Sequence, residues 1–376
     1  MSKTLQEEIY PFLAEPIPIT KQQWSDEILP LVSVNCTTYM HEAFIRDAIE
    51  GFLMQQTNFK VEILLHDDNS TDRTTDIIRE YERKFPQLIK PTYQIENQFQ
   101  KNPKTAKYIR PPEKKGKYIA FCEGDDYWTD PFKLQKQVIF LEANIDFAIC
   151  HHNMQVIYEG NTKAPHLSNS PEQKEVTTIE DLAHGNYIYT ASCLCRNGLF
   201  GKAPEWIAKC PIGDYPTHML NAQFGKIKYI PDVMGVYRVH KGGFWECKDE
   251  IYRIGKWVDL MDQMKNQFST EINKILIESQ NRDAEYLMIK LKDQEERCRY
   301  YTNKLIENNP LYVANLKSET VLLKEKIVSN IYELSEIKRS LAYKLSSKFL
   351  RFGFIRVSLT MIFSLKKNIF NRKYKG

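Results

Sequence analysis

The chain has 376 residues, 42% of them hydrophobic and 27% charged, an ordinary globular composition that excludes a disordered or fibrous chain. The net charge of +4 resolves into +11 over Ile337–Gly376, which holds no Asp or Glu, and −7 over residues 1–336. A mildly acidic body therefore carries a basic tail. Met1–Tyr10 lacks the apolar stretch of an export signal, and no run reaches 18 apolar residues, so neither secretion nor a membrane-spanning helix is expected. Eight cysteines with no CxxC pair are expected to be reduced, mostly buried thiols of a cytoplasmic protein.

Residues 1–30 contain four prolines and form a lead-in expected to pack on the main domain. The apolar run Leu31–Cys36 predicts a buried strand. Apolar positions at Phe44, Ile45, Ala48, Ile49, Phe52 and Leu53 predict a helix within His41–Gln56. Val61–Leu65 predicts a second strand, ending in His66-Asp67-Asp68-Asn69-Ser70-Thr71-Asp72. Ser70 or Thr71 is expected to cap the next helix, which runs to about Phe85. Alternating strands and helices predict a parallel sheet in an α/β domain.

Tyr118–Cys122 reads as another strand that ends in acids, Glu123-Gly124-Asp125-Asp126. A helix is expected after Pro131, a strand at Phe147–Ile149 and a surface loop over 159–175. Tyr189–Cys195 is a candidate strand. Two strands, Ile227–Ile230 and Val233–Tyr237, are expected to flank Pro231. After about Trp245 Gly and Pro become scarce, and a helical region is expected. Leu316, Thr320, Leu323, Ile327, Asn330, Leu334, Ile337 and Leu341 alternate spacings of four and three, a coiled-coil-like seam. Self-association is one reading of that seam; a hairpin packed on the catalytic domain is the other.

In open parallel sheets ligands bind beyond the carboxyl ends of the strands. Two acidic clusters there repel each other unless a cation relieves them. Their combination predicts a divalent metal, Mg2+ or Mn2+, holding a phosphorylated ligand, since these ions bridge carboxylates to phosphates.

The segments LVSVNCTTY, VEILLHDDNSTDRT and YIAFCEGDDYWTDPFKLQKQV, with the later IGDYP and MGVYRVHKGG, resemble the family 2 glycosyltransferases over roughly residues 30–245. The resemblance implies an α/β fold of the GT-A type: a Rossmann-like mixed, mainly parallel sheet flanked by helices, here followed by a helical, coiled-coil C-terminal region. Together with the composition and periodicity above, it divides the chain into four segments: the lead-in 1–30, a transferase domain 31–245, a helical region 246–340 and a basic amphipathic tail 341–376. It also implies an inverting, metal-dependent transfer from a nucleotide-sugar donor, UDP-linked, to a glycan or lipid-linked acceptor in surface polysaccharide synthesis.

Residue by residue, the resemblance places Thr38 and Tyr39 beside the nucleotide and gives Asp67 to the base, with Asp68 either touching the ligand or shaping the turn. Glu123-Gly124-Asp125 corresponds to the family's DxD motif, with Glu in place of the first Asp. Asp125 would bind the metal and Glu123 would lie near ribose or donor sugar. Gly124 would let backbone approach the ligand, and Asp126 would support the loop or touch the donor. Tyr127 and Trp128 would either pack or stack on a sugar. Asp214 matches the catalytic base. His240 would reach the metal or diphosphate, and Arg238 either phosphate or an acid of the body. Lys241, Gly242 and Gly243 would close over the donor.

Competing readings are a nucleotidyltransferase, disfavoured because NCTTYMHEAF contains no Gly, and a degenerate scaffold acting through its coiled coil. Nucleic acid is not an expected partner, since the tail carries no recognisable module. His151-His152 lacks a ligand set in sequence and is expected to be structural. Apolar residues at helical spacing among the tail's cations predict a helix lying in the interface of an anionic membrane. The enzyme is then expected at the inner face of the membrane, peripherally bound.

Overall fold

The structure, a computed structural model, describes residues 10–101, 116–243, 245 and 248–308. The coiled-coil seam and the basic tail lie outside the described residues, as do residues 1–9. Two compact units divide the chain, Met1–Leu287 and Met288–Gly376. Of the second, the structure describes only the far part of one long helix.

The first unit is built on one sheet. Its main strands are Val32–Thr38 (β1), Val61–Asp67 (β2), Ile89–Tyr93 (β3), Tyr118–Phe121 (β4), Phe147–Tyr158 (β5), Leu194–Arg196 (β6) and Lys226–Val239 (β7). They lie in the order β7-β5-β6-β4-β1-β2-β3. β4, β1, β2 and β3 are mutually parallel, as are β5 and β7, while β6 runs antiparallel between β4 and β5. The mixed, mainly parallel sheet expected of the fold class is the one that forms. β1 and β2 are buried almost throughout because helices cover both faces of a parallel sheet.

Period-two alternation splits the side chains between two cores. Val32, Val34 and Cys36 of β1, with Tyr118 and Ala120 of β4, pack against Ile45–Leu53 (α1), Thr74–Lys84 (α2) and Lys133–Ala143 (α3). Between those two β4 residues, Ile119 points to the other face. There it joins Tyr215 and Met219 of Asp214–Ala222 (α4), Leu260, Met261 and Met264 of Glu250–Met264 (α5), and Ile272 and Leu276 of Thr270–Asn308 (α6). The unit that holds the sheet therefore runs past the composition change at Trp245 to Leu287.

Several sequence expectations change in detail. Pro231 does not separate two strands: β7 is continuous, and its ladder with β5 shifts register between Ile230 and Val233, a bulge that accommodates the missing N–H. β5 reaches Tyr158 because His151, His152 and Asn153 are buried within it. Tyr189–Cys195 is not one strand; a 3-10 turn at Thr190–Ser192 precedes β6. Neither Ser70 nor Thr71 caps α2, which starts at Thr74 after Arg73. Asp72 serves that helix start instead, its Oδ1 accepting from Thr74 N at 3.0 Å.

Candidate functional site

β1, β2 and β4 end side by side. Thr38 pairs with Asp67 across β1 and β2, and Asn35 with Phe121 across β1 and β4. The amides of Asp68 and Gly124 donate to the carbonyls of Thr38 and Thr37, at 3.1 and 2.9 Å. Both acidic clusters are thus stitched to the end of β1. Two non-glycine residues there take left-handed backbone, Met40 (φ 58°) and Asn69 (φ 64°), conformations that persist where surrounding structure imposes them.

Asp125 is the hub. His240 Nε2 lies 3.0 Å from its Oδ2, and His41 Nε2 lies 3.7 Å from the same oxygen. One ring nitrogen of each histidine and the carboxylate oxygen all fall within 4.8 Å of one another, the one such group among the described residues. Burial alone would raise the Asp125 carboxyl; the hydrogen bond from His240, with the electrostatic influence of the two neighbouring imidazoles, outweighs it and holds the group low. His41 is held below its ordinary range by burial, which favours the neutral imidazole that ligates metals.

His41 carried no sequence expectation. It arrives because the turn between β1 and α1 folds back over the β4 loop, with His41 N donating to Thr74 Oγ1 at 2.8 Å. Gly124 makes this possible: a Cβ there would lie 2.6 Å from Thr38 Oγ1 and 2.9 Å from His41 Nδ1. The close approach that requires glycine is thus made by the protein's own side chains.

Glu123 is half-buried and pushed up to about 8, by desolvation first and then by the charges of Asp125 and Asp214. Asp214 is thus near enough for its charge to be felt at Glu123. Asp214 opens α4 and lies half-buried, 3.5 Å from Asn186 Nδ2, where the helix dipole favours an anion. Asp126 is buried; its carboxylate accepts from Arg238 N at 2.9 Å and ties the acidic loop to β7.

Other expected residues are more engaged than their sequence suggests. Asp67 accepts from Ser70 N, Ser70 Oγ and Thr75 Oγ1, leaving little of its carboxylate for a base. Asp68 accepts from the amides of Gln98 and Phe99 at 2.8 and 3.0 Å. Arg238 pairs with Asp47 at 2.7 Å and lies over the Phe44 and Tyr127 rings, the acid-of-the-body alternative. Trp128 is a packing residue, 4.8 Å from the Phe52 ring with Nε1 donating to Ala191 O. Tyr39 stays partly exposed at the mouth, and Thr38 Oγ1, His41 Nδ1 and Asn35 Oδ1 are buried without a hydrogen-bond partner. Such orphaned polar atoms, along the end of β1 and just beyond it, mark a place for a ligand. His151 and His152 are buried in the core.

Could this set hold a divalent cation? Two imidazole nitrogens and one carboxylate, close together with an orphaned Nδ1 beside them, fit one. No helix among the described residues is long and apolar enough to cross a membrane.

Comparison with known proteins follows the same lines. Residues 33–196 match the model of glycosyl transferase family 2. An uncharacterised protein of Mycobacterium tuberculosis is 36% identical over 220 residues, 57% of this chain and 60% of its own length. A UDP-Glc:α-D-GlcNAc-diphosphoundecaprenol β-1,3-glucosyltransferase of Escherichia coli is 35% identical over 115 residues, 31% of this chain and 43% of that one. Among solved structures, a mannosyltransferase from Pyrobaculum calidifontis in complex with GDP-Man and Mn2+ shares the fold. It has a TM-score of 0.50 and 17% identity, over 87% of this chain and 92% of that one. The chain thus spans 60% of the length of the first curated relatives it matches.

Proposed function

Residues 33–196 are a family 2 glycosyltransferase domain, and from that premise we propose that the chain moves a sugar from a UDP-linked donor to a hydroxyl of a glycan or lipid-linked acceptor, with inversion. The observation that carries this reading is the convergence of Asp125, His240 and His41 at the end of β1, with Glu123 on the same loop as Asp125 and within reach of the charge of Asp214. The E. coli relative acts from a UDP-sugar on a lipid-linked saccharide, which supports the same donor and acceptor classes here and a role in polysaccharide synthesis.

Asp125, His240 and His41 would hold a divalent cation, Mn2+ or Mg2+; two imidazoles favour Mn2+. Such an ion, when bound, neutralises the charge of the diphosphate leaving group. Thr38 and Tyr39 border the nucleotide, and the acceptor capacity that Asp67 retains beside its three hydrogen bonds is offered to the base. Glu123 contacts the ribose or donor sugar. Asp214 takes the proton from the acceptor hydroxyl as its oxygen bonds to the anomeric carbon. The bond from that carbon to the diphosphate breaks, and UDP leaves with the electron pair from the opposite face. Arg238, Asp126 and Asp68 act by holding the loops. Beyond the described residues, the basic tail holds the enzyme to an anionic membrane surface, where a lipid-linked acceptor is presented.

Asp214→Asn tests the assignment of the base. The variant is expected to keep UDP affinity and lose about 10² to 10⁴-fold in transfer rate. Transfer within a few-fold of wild type at saturating donor would place the base elsewhere.

A further inference from the structure

Outside the acidic crevice, a cavity of about 330 Å³ opens among Trp245, Glu250, Arg253, Trp257, Asp283 and Tyr286. We infer that this cavity is the subsite for the acceptor's saccharide. The inference rests on the glycosyltransferase reading and adds the place and chemistry of the second substrate.

Its lining matches a sugar ring. Pyranoses present apolar C–H faces and a rim of hydroxyls. Three aromatic rings offer flat apolar surface with polar tips, and two carboxylates and a guanidinium offer acceptors and donors for hydroxyls. These groups are held in place. Tyr286 OH donates to Glu250 at 2.8 Å, the Trp257 indole donates to Asp283, and Asp249 caps α5 through Tyr252 N at 2.8 Å. The volume lies at the low end for small-ligand sites and suits roughly one or two sugar rings. Two carboxylates against one guanidinium make the lining net negative, which disfavours the phosphate of a lipid carrier and leaves the neutral sugar as occupant.

Its position matches an acceptor's. Trp257 stacks on Tyr215, with ring centroids 5.0 Å apart and planes at 25°, and Tyr215 adjoins the candidate base Asp214 in α4. On the other side, Trp245 follows His240 by five residues, a chain length that spans at most about 18 Å. The cavity is thus linked by the Trp257–Tyr215 stack to the helix that opens with the proposed base, and by Trp245 to the segment that leaves the candidate metal centre. The same constellation also gives Trp257 a reason to be an aromatic ring rather than an aliphatic one: one face braces α4 while its edge is anchored by Asp283.

The test uses the full chain with a printed array of mono- to tetrasaccharides, followed by titration of each hit against wild type, Trp245→Ala and Asp283→Asn. Wild type should retain at least one neutral saccharide, and each variant should bind it about tenfold or more weakly, the size of one lost charge-assisted hydrogen bond or stacking contact. UDP affinity in Mn2+ should stay within about twofold, and thermal unfolding should confirm that both variants fold. The inference is overturned if wild type retains no saccharide, or if saccharide affinity is unchanged in both variants. Failure of wild type to bind UDP would strike the donor reading instead, and calorimetry separates the two.

Discussion

Lys133 shows how a single side chain can be legible in kind yet not in role. It lies in α3 and is fully buried, with Nζ 4.0 Å from the Trp128 ring centre and no hydrogen-bond partner. Burial depresses it to about 8. Between about 8 and the ordinary 10.5, unfolded Lys133 keeps a proton that the folded form has shed, so stability gains there as pH rises. The full depression corresponds to about 3 kcal/mol, against which the cation–π contact returns about 2 kcal/mol. Lys133→Met should therefore raise stability at pH 7 by about 1 kcal/mol. Relative to that variant, wild type should recover as pH climbs from about 8. Urea unfolding of both proteins at pH 7 and pH 10 decides it: a variant that is weaker at pH 7, with a gap indifferent to pH, would contradict the buried charge. His41 is the converse case. Nothing in TTYMHEAF distinguishes it from a surface histidine; its function depends on a meeting with Asp125 and His240 that only the folded loops create.

At the scale of elements, the strands that border the site were readable because each is a short apolar run closed by turn residues, two of them by acids. β1, β2 and β4 form close to where those runs lie. β7 was harder, since a proline argues against a continuous strand and only the register shift against β5 resolves the conflict. β5 hid for a different reason: His151, His152 and Asn153 look polar in sequence and are core residues in the sheet. The β4 loop and the turn after β1 behave as one device, locked at Gly124. Gly124→Ala would set a methyl against Thr38 and His41 at under 3 Å, forcing one of them to shift at a cost of about 1 to 3 kcal/mol. Thermal unfolding and Mn2+ titration should both register it, the second because His41 is moved from Asp125. A variant that matches wild type in both would mean that the turn gives way without disturbing the site.

Across the whole molecule, the charge asymmetry is the largest feature the fold does not absorb. The first unit carries the sheet, both cores and every candidate site residue, while eleven cations without an acid lie in Ile337–Gly376. Each cation near an anionic surface contributes roughly 1 kcal/mol, weakening with salt. Truncation before Leu341 should leave thermal unfolding of the first unit unchanged and abolish sedimentation with vesicles of phosphatidylglycerol at low salt. Failure of the full chain to sediment would assign the tail to a protein partner. The boundary of the catalytic unit was the least legible global feature. Composition changes at Trp245, yet α5 and the start of α6 complete the second core, because an amphipathic helix looks alike whether it packs on its own sheet or on another copy.

The metal-centred donor site is most directly tested by calorimetry of UDP into the full chain in Mn2+, repeated with excess chelator and with Asp125→Ala. Removing either the ion or its carboxylate takes away the bridge between diphosphate and protein, so affinity should fall about 100-fold or more in both. Equal UDP affinity under all three conditions would contradict the assignment of Asp125, His240 and His41 to a metal centre.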